Sequence, residues 1–380
     1  MIDPGRTADR EALQAEVREF ARRELPRDYV RACDRDARAP LDKLRLLGPT
    51  GWLGLGLPEQ HGGAGDLLDA VIVLDELAYA SYALASLVGR VAVYAGHTVA
   101  QWGTAAQREA LLPEIVAGRF LLSVGMTEPD TGSDATGITT RAERHGDVYI
   151  VNVEKIYSSG AAYADRILIS ARTDPSSHGR DGLSALLVDP RLPGVETEPM
   201  EFLGMRANPA YGVRLRDVEV PVQERLGEEH QGWAVFSSHL ERERINQAAK
   251  CAGAMRAAFD DAATYAGRRH QFGRPIASFQ AIQQKIADMA IDCRLAQLST
   301  FDAAARYSAG MPCRLEAMTA KVAATEGYIR VANNALQVMG AFGYSMDSDA
   351  QRHFRDSRAG VIGAGTSEIL RGAISRLITG

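Results

Sequence analysis

The chain has little of what announces metal or disulfide chemistry. Four cysteines, Cys33, Cys251, Cys293 and Cys313, are scattered through 380 residues with no Cys-x-x-Cys pair. That pattern supports neither a zinc site nor a disulfide framework. None of the eight histidines falls in a His-Glu-x-x-His spacing, so metal chemistry has little support. No uninterrupted apolar run approaches the ~20 residues of a membrane span. The first residues, Met1-Ile2-Asp3-Pro4-Gly5-Arg6, lack a basic and then apolar signal pattern. The cytoplasm is therefore the expected location, with no membrane partner. A net charge of −5 gives no electrostatic reason to expect nucleic acid. There is no internal repeat and no low-complexity tail.

Length and composition leave an ordinary soluble protein of two or three domains, with 46% hydrophobic and 24% charged residues. Residues 7 to about 48 read as helix, with Leu13, Val17, Phe20 and Ala21 at three- and four-residue steps and Pro26 as an interruption. Gly48-Pro49-Thr50-Gly51-Trp52-Leu53-Gly54-Leu55-Gly56 faintly resembles a dinucleotide fingerprint. The segment before it is helical and Pro58 follows where a helix must start, so it reads as a loop. Residues 66–102 read as two apolar helices and 104–118 as another. From about 120 to 228 come short β-type runs around Val148–Val151, Arg166–Ser170, Leu183–Val188 and Val213–Leu215, separated by turn residues. They predict a compact barrel or sandwich. Long Ala-rich helices then fill 233–268, 278–308, 313–340 and 364–378, the pattern of a bundle. The expected class is α+β: an N-terminal helical domain (1–121), a middle β-barrel or sandwich domain (122–230) and a C-terminal four-helix bundle (231–380).

Several segments could carry chemistry. Met126-Thr127-Glu128-Pro129-Asp130-Thr131-Gly132-Ser133-Asp134 joins helices to strands, and Pro129 stops any helix there. Lys155-Ile156-Tyr157-Ser158-Ser159-Gly160 sets an aromatic ring beside hydroxyls, which suits a flat heteroaromatic cofactor or a plain strand end. In Arg269-His270-Gln271-Phe272-Gly273-Arg274, Arg269 suits a pyrophosphate and Phe272 a base, unless the segment is only a connector. Gln337-Val338-Met339-Gly340-Ala341 and Gly363-Ala364-Gly365-Thr366-Ser367-Glu368 read alone as a helix C-cap and an N-cap.

In this order and at this spacing, these segments resemble the signatures of the acyl-CoA dehydrogenase family. Leu203-Gly204-Met205-Arg206, Asp217–Pro221 and Arg355-Asp356 fit as well, so the resemblance covers nearly the whole chain. It implies an FAD enzyme that oxidises an acyl thioester, on CoA or on an acyl-carrier protein. By match, Met126, Thr127, Gly132 and Ser133 line the flavin. Tyr157, where many members carry Trp, and Ser159 sit over its reactive edge. Arg269 and Phe272, with Gln337, Gly340 and Ala341, meet a neighbouring subunit's cofactor. Thr366 and Glu368 complete the contacts. Shared sites imply a homo-oligomer, usually a tetramer. The electron acceptor is an electron-transferring flavoprotein or O₂.

The family's reaction has a carboxylate take the α proton while the β carbon gives hydride to flavin N5. The thioester oxygen meets a backbone N–H that maps to Ala364, and Ser133 and Arg244 are further substrate contacts by match. Many members carry their catalytic Glu where Ala364 stands, and methyl cannot accept a proton. The resemblance narrows to the isovaleryl-CoA and crotonobetainyl-CoA type, whose Glu lies on the first long bundle helix before an Arg. Glu243-Arg244 fits that register, since 269 − 243 = 26. Glu241 is the rival, two residues out of step. Glu241-Arg242-Glu243-Arg244 could also be a solvated charge run. A same-fold oxidase or monooxygenase on another substrate, and a non-enzymatic flavin scaffold, remain alternatives.

Overall fold

In the computed structural model, which describes residues 7–380, prolines and small residues divide the first helices. Thr7 caps α1 (Ala8–Glu24), which buries Val17, Phe20 and Ala21. Pro26 separates it from α2 (Arg27–Arg35), and α3 (Leu41–Leu47) follows. Short turns then cross the glycine-rich stretch that was read as a loop. Asp66 and Asp69 form a capping box at the start of α4 (Leu67–Ala80), which is buried on nearly every side.

Ser81 caps α5 (Tyr82–Arg90). The chain winds on through a π-helix, Val91–His97, into α6 (Thr98–Trp102). Arg90 interrupts this stretch, so the uninterrupted apolar runs are short, although the helix as a whole is long. Tyr82–Trp102 is 21 residues long with a mean hydropathy of 1.2 in its best window. That window is 72% buried inside the protein, as in the core helix of a soluble fold. Helix α7 (Ala105–Val116) closes the region behind a Thr104–Gln107 capping box.

Strands β1 (Leu122–Gly125), β2 (Arg141–His145), β3 (Val148–Ser159), β4 (Arg166–Arg172), β5 (Leu183–Val188), β6 (Val195–Pro199), β7 (Ala210–Pro221) and β8 (Arg225–Leu226) form one mixed sheet. Its order is β6-β7-β3-β2-β4-β5-β8, with β1 parallel to β4. A single pair, Arg141 with Arg172, joins β2 to β4. Alternate residues from both sides of that join, Tyr149 and Val151 with Ile167, Ile169, Leu186 and Val188, share one core, so the two parts pack as a sandwich. The other face of β4 and β5 (Leu168, Ala185, Leu187) packs into the helical core. Burial on both faces explains why these two strands read as unbroken apolar runs.

After α8 (Gly232–Ser237), α9 (Leu240–Arg268), α10 (Gln280–Ser308) and α11 (Arg314–Tyr344) make the bundle. The run expected from 233 is thus interrupted at Ser238-His239. Helix α11 breaks at Gly340, whose φ of 59° and ψ of −139° suit only glycine, and resumes for one further turn. Helix α12 (Asp349–Gly360), unmarked in the sequence reading, lies against α9 and α11, and α13 (Ser367–Thr379) ends the chain.

Helix α9 also crosses α4 at very short range. A Cβ on Gly253 would fall 2.0 Å from the Asp75 carbonyl oxygen and 3.1 Å from the Ala78 Cβ. Gly253→Ala should therefore push the two helices apart and cost about 1–3 kcal/mol. Urea denaturation measures this, and an unchanged midpoint would mean that the crossing has slack.

Candidate active site

The first turn of α9 is not a solvated charge strip, because none of Glu241, Arg242, Glu243 and Arg244 is exposed. At 100° per residue, neighbours on a helix face different surroundings. Arg242 is buried, with its guanidinium over the Tyr307 ring at 4.9 Å. The carboxylate of Glu241 acts electrostatically on Arg244 and Cys313, towards the start of α11. Glu243 turns towards the π-helix, where the Tyr94 hydroxyl donates a hydrogen bond to its Oε1. The Tyr94 ring stands edge-on to His239 with centroids 4.8 Å apart.

Burial pushes the Glu243 carboxyl above the ordinary carboxylate range. The Tyr94 hydrogen bond and the charges of Lys250, Arg244 and Lys321 oppose that rise. Burial and the adjacent Glu243 push the Tyr94 phenol far up, so it stays a donor. The Glu243 carboxylate is thus half-buried, shifted upwards by burial, and held by one directional bond among the described residues.

The Met126–Asp134 loop is built around a buried carboxylate. Glu128 accepts from Lys155 Nζ (2.8 Å), Thr139 N (2.8 Å), Thr139 Oγ1 (2.7 Å), Thr140 N (3.1 Å) and the Thr140 hydroxyl. Lys155 also reaches the Met126 carbonyl at 3.3 Å, and Ile156 N–H donates to the Thr127 carbonyl at 2.9 Å. Burial alone would raise the Glu128 carboxyl, but Lys155 and the threonines hold it down to about 2. Lys155, with only two acceptors, is lowered by burial to about 8. Glu128 and Lys155 were not singled out from sequence as partners. They brace the loop so that Met126 and Thr127 lie beside β3, while Gly132 and Ser133 are exposed.

A register shift in the β3–β7 pairing between Lys155 and Ser158 forms a bulge. There Tyr157 sits at φ 58° with its ring 54% exposed, edge-on to Phe202 at 6.0 Å. Such bulges re-aim side chains beside active sites. The Ser158 hydroxyl is fully buried without a partner. The Ser159 carbonyl accepts from Arg90 Nη1 and from Ser123 Oγ at 2.9 Å, which fixes the end of the strand.

Ala364 lies in the left-handed region at φ 57°, followed by Gly365 at 87°. Lys321, fully buried, donates to the Gly365 carbonyl at 2.7 Å and pins this turn. Thr366 caps α13, accepting from Ile369 N–H at 3.2 Å, and Glu368 is exposed in its first turn. Two further signatures meet directly. Asp356 Oδ1 accepts from Met205 N–H at 2.6 Å, and Arg355 reaches the Leu203 carbonyl at 3.3 Å.

Arg269 and Phe272 stand elsewhere. Phe272-Gly273 forms a two-residue hairpin turn with φ of 52° and 75°, and Phe272 is 91% exposed. Gln337, Gly340 and Ala341 are also exposed. Stacking of Tyr265 on Phe342, at 5.8 Å and 14°, ties these two segments to one end of the bundle. Among the described residues, no hydrogen bond, ion pair or ring contact joins either segment to Met126–Ser133 or Tyr157–Ser159. The residues missed from sequence are Tyr94, Lys321 and Arg90, whose partners lie 149, 44 and 69 residues away.

The helical–sheet–helical frame thus places a carboxylate, Glu243, near the start of its first long bundle helix. The chain belongs to the acyl-CoA dehydrogenase family: its N-terminal domain model matches residues 7–119, its middle domain model 123–218 and its C-terminal domain model 230–379. A probable acyl-CoA dehydrogenase of Bacillus subtilis is 35% identical, over 97% of this chain and 98% of that protein. A 3-(aryl)acrylate reductase of Clostridium sporogenes is 34% identical, over 96% of each. The solved structure of a prolyl acyl carrier protein oxidase superposes with a TM-score of 0.93 at 28% identity, over 99% of this chain and 100% of that one.

Lys155→Met should leave Glu128 buried without its counter-charge and cost about 3–5 kcal/mol, read by chemical denaturation. In the unaltered protein, the folded pKa of Glu128 lies below its unfolded value of about 4.3. Its contribution is therefore present above about pH 4.3 and lost as pH falls towards 2. The variant should show a shallower loss of stability across that window, and an equally steep loss would assign the acid sensitivity elsewhere.

Proposed function

We propose that this chain oxidises the Cα–Cβ bond of an acyl thioester, with Glu243 as the α-proton base and FAD as cofactor. The observation that carries the reading is the inward, desolvated Glu243 carboxylate at the register 26 residues before Arg269. Ala364 offers no competing carboxylate. Bound FAD supplies the two-electron acceptor for the β hydrogen. The residues that would hold it fit such a group: a strained, outward Tyr157, an unsatisfied Ser158 hydroxyl, Ser159, and the Met126-Thr127 and Gly132-Ser133 segment with its exposed groups. In a neighbouring copy, the exposed Arg269 and Phe272 with Gln337, Gly340 and Ala341 would meet the adenine-diphosphate half, while Thr366 and Glu368 offer a helix N-terminus.

Glu243 takes the proton, and Tyr94 aims its oxygen. The Ala364 N–H, oriented by the Lys321–Gly365 bond, faces charge developing on the thioester oxygen. Ser133 and Arg244 complete the substrate's surroundings. The chain is read as three domains, 1–121, 122–230 and 231–380, assembled as a homotetramer in the cytoplasm. Ile291, Leu295 and Leu298, exposed at i, i+4 and i+7 on α10, support a covered face. The acyl group rides on CoA or a carrier protein, with an electron-transferring flavoprotein as acceptor. The likeness to a carrier-protein oxidase supports O₂ as the second reading. Rapid reoxidation of the reduced protein by O₂ selects it, and slow reoxidation with fast transfer to an electron-transferring flavoprotein rejects it.

Glu243→Gln should slow anaerobic flavin reduction by an acyl thioester ~10²–10⁴-fold, while Glu241→Gln has a far smaller effect. Normal reduction in Glu243→Gln places the base elsewhere.

Tyr94→Phe removes a bond that favours the carboxylate, so the Glu243 pKa should rise further. The rate falls as the base is protonated, and the acid limb of the pH–rate profile should therefore move to higher pH. An unmoved limb would leave Tyr94 with a packing role only.

A further inference from the structure

Lys250 lies seven residues beyond Glu243 on α9, two turns along the same face. Helical side chains lean towards the N-terminus, so its stem leans back towards Glu243. The stem rests on α5, with Cδ and Nζ each 3.9 Å from where a Cβ on Gly89 would sit. Among the described residues, its ammonium has neither a hydrogen bond nor an ion pair. The charges around it are one-sided. Arg90 is close, but its guanidinium is already engaged by the Ser159 carbonyl and, at 2.5 Å, by Asn208 Oδ1. Arg244 and Lys321 add positive charge around Glu243. Glu243 is the carboxylate that faces them, and its bonded partner is Tyr94.

Burial lowers the Lys250 ammonium to about 8, which leaves it mostly charged at neutral pH. Lys250 is half-buried, so its ammonium, with three donors free of protein partners among the described residues, is open to a ligand. The charge imbalance around it grows during turnover, since Glu243 becomes neutral as it takes the α proton. A ligand that carries its own anion would restore the balance when the enzyme loses it.

We infer that Lys250 forms an anion subsite for the far end of the acyl group, and that the substrate class is short acyl thioesters ending in a carboxylate. This rests on the proposed α-proton abstraction by Glu243. The α carbon is held at Glu243 and the terminal carboxylate at Lys250. The two-turn rise of about 10.5 Å bounds their separation, so only a few methylenes lie between.

The test uses chain-matched CoA thioesters, pentanoyl against glutaryl and hexanoyl against adipoyl, scored by kcat/KM in steady-state turnover of the FAD-loaded protein with an artificial electron acceptor. Lys250 should give the carboxylated member of a pair an advantage of about 30-fold or more. Lys250→Met should collapse or invert that ratio, chiefly through KM, and Lys250→Arg, which keeps the charge, should retain most of it. Equal use of both members by the unaltered enzyme, or an unchanged ratio in Lys250→Met, overturns the subsite. The base reading fails differently: Glu243→Gln should slow both members of each pair alike. If no thioester of either kind reduces the flavin in the unaltered protein, the dehydrogenase reading falls and the subsite with it.

Discussion

The close crossing of α4 over α9 sets the position of everything chemical in this chain. With no side chain at Gly253, the α9 backbone lies against the Asp75 carbonyl. The same place is locked by charge: Arg256 meets Asp75 at 2.7 Å and Glu76 at 3.2 Å, and Arg18 of α1 reaches Glu76 at 2.9 Å. Burial still raises the Asp75 carboxyl to about 6 despite Arg256, so contact is bought with an electrostatic penalty. Because α5 and the π-helix follow directly from α4, fixing α4 on α9 also fixes the height at which Tyr94 meets Glu243.

That frame lets one physical quantity, desolvation, serve opposite ends. It makes Glu243 more basic and Lys250 less able to hold its proton. At Glu128 it is overcome by several donors, and the carboxylate remains ionised and structural. A buried acid in this fold becomes reactive or inert according to how many hydrogen bonds its charged form receives. Among the described residues, Glu243 receives one and Glu128 five.

Sequence carried the local features well. Pro26 does end a helix, Thr366 does cap one, and the Gly340 break falls within the segment that reads as a helix C-cap. The segments of the family signatures are each contiguous, so their order could be read directly. What escaped was structure held by distant polar contacts. Helix α12 buries Asp349, Gln351, His353 and Asp356, and Asp349 binds Arg27 and Arg31, so it has no apolar stripe to detect. Strand β2 has a single buried residue, Ala142, and therefore no alternation. Tyr94 and Lys250 gain meaning only from helices that fold together, and neither stands in a motif. Arg90 and His97 interrupt the composition of Tyr82–Trp102 but not its winding.

The π-helix at Val91–His97 gives this pocket an unusual evolutionary handle. A π segment carries an additional residue relative to regular α-helix, and losing one residue there restores the ordinary winding. The flanking helices would keep their facing, because the wide turn had absorbed the additional residue, and the side chains inside the segment would be re-spaced. One deletion within the segment would thus shift Tyr94 by one position relative to Glu243 while α5 and α6 keep their places. Among descendants of such a chain, the lining of the acyl pocket would diverge by gaps in length as readily as by exchanges of residue type, and comparisons that score substitutions alone would overlook the change.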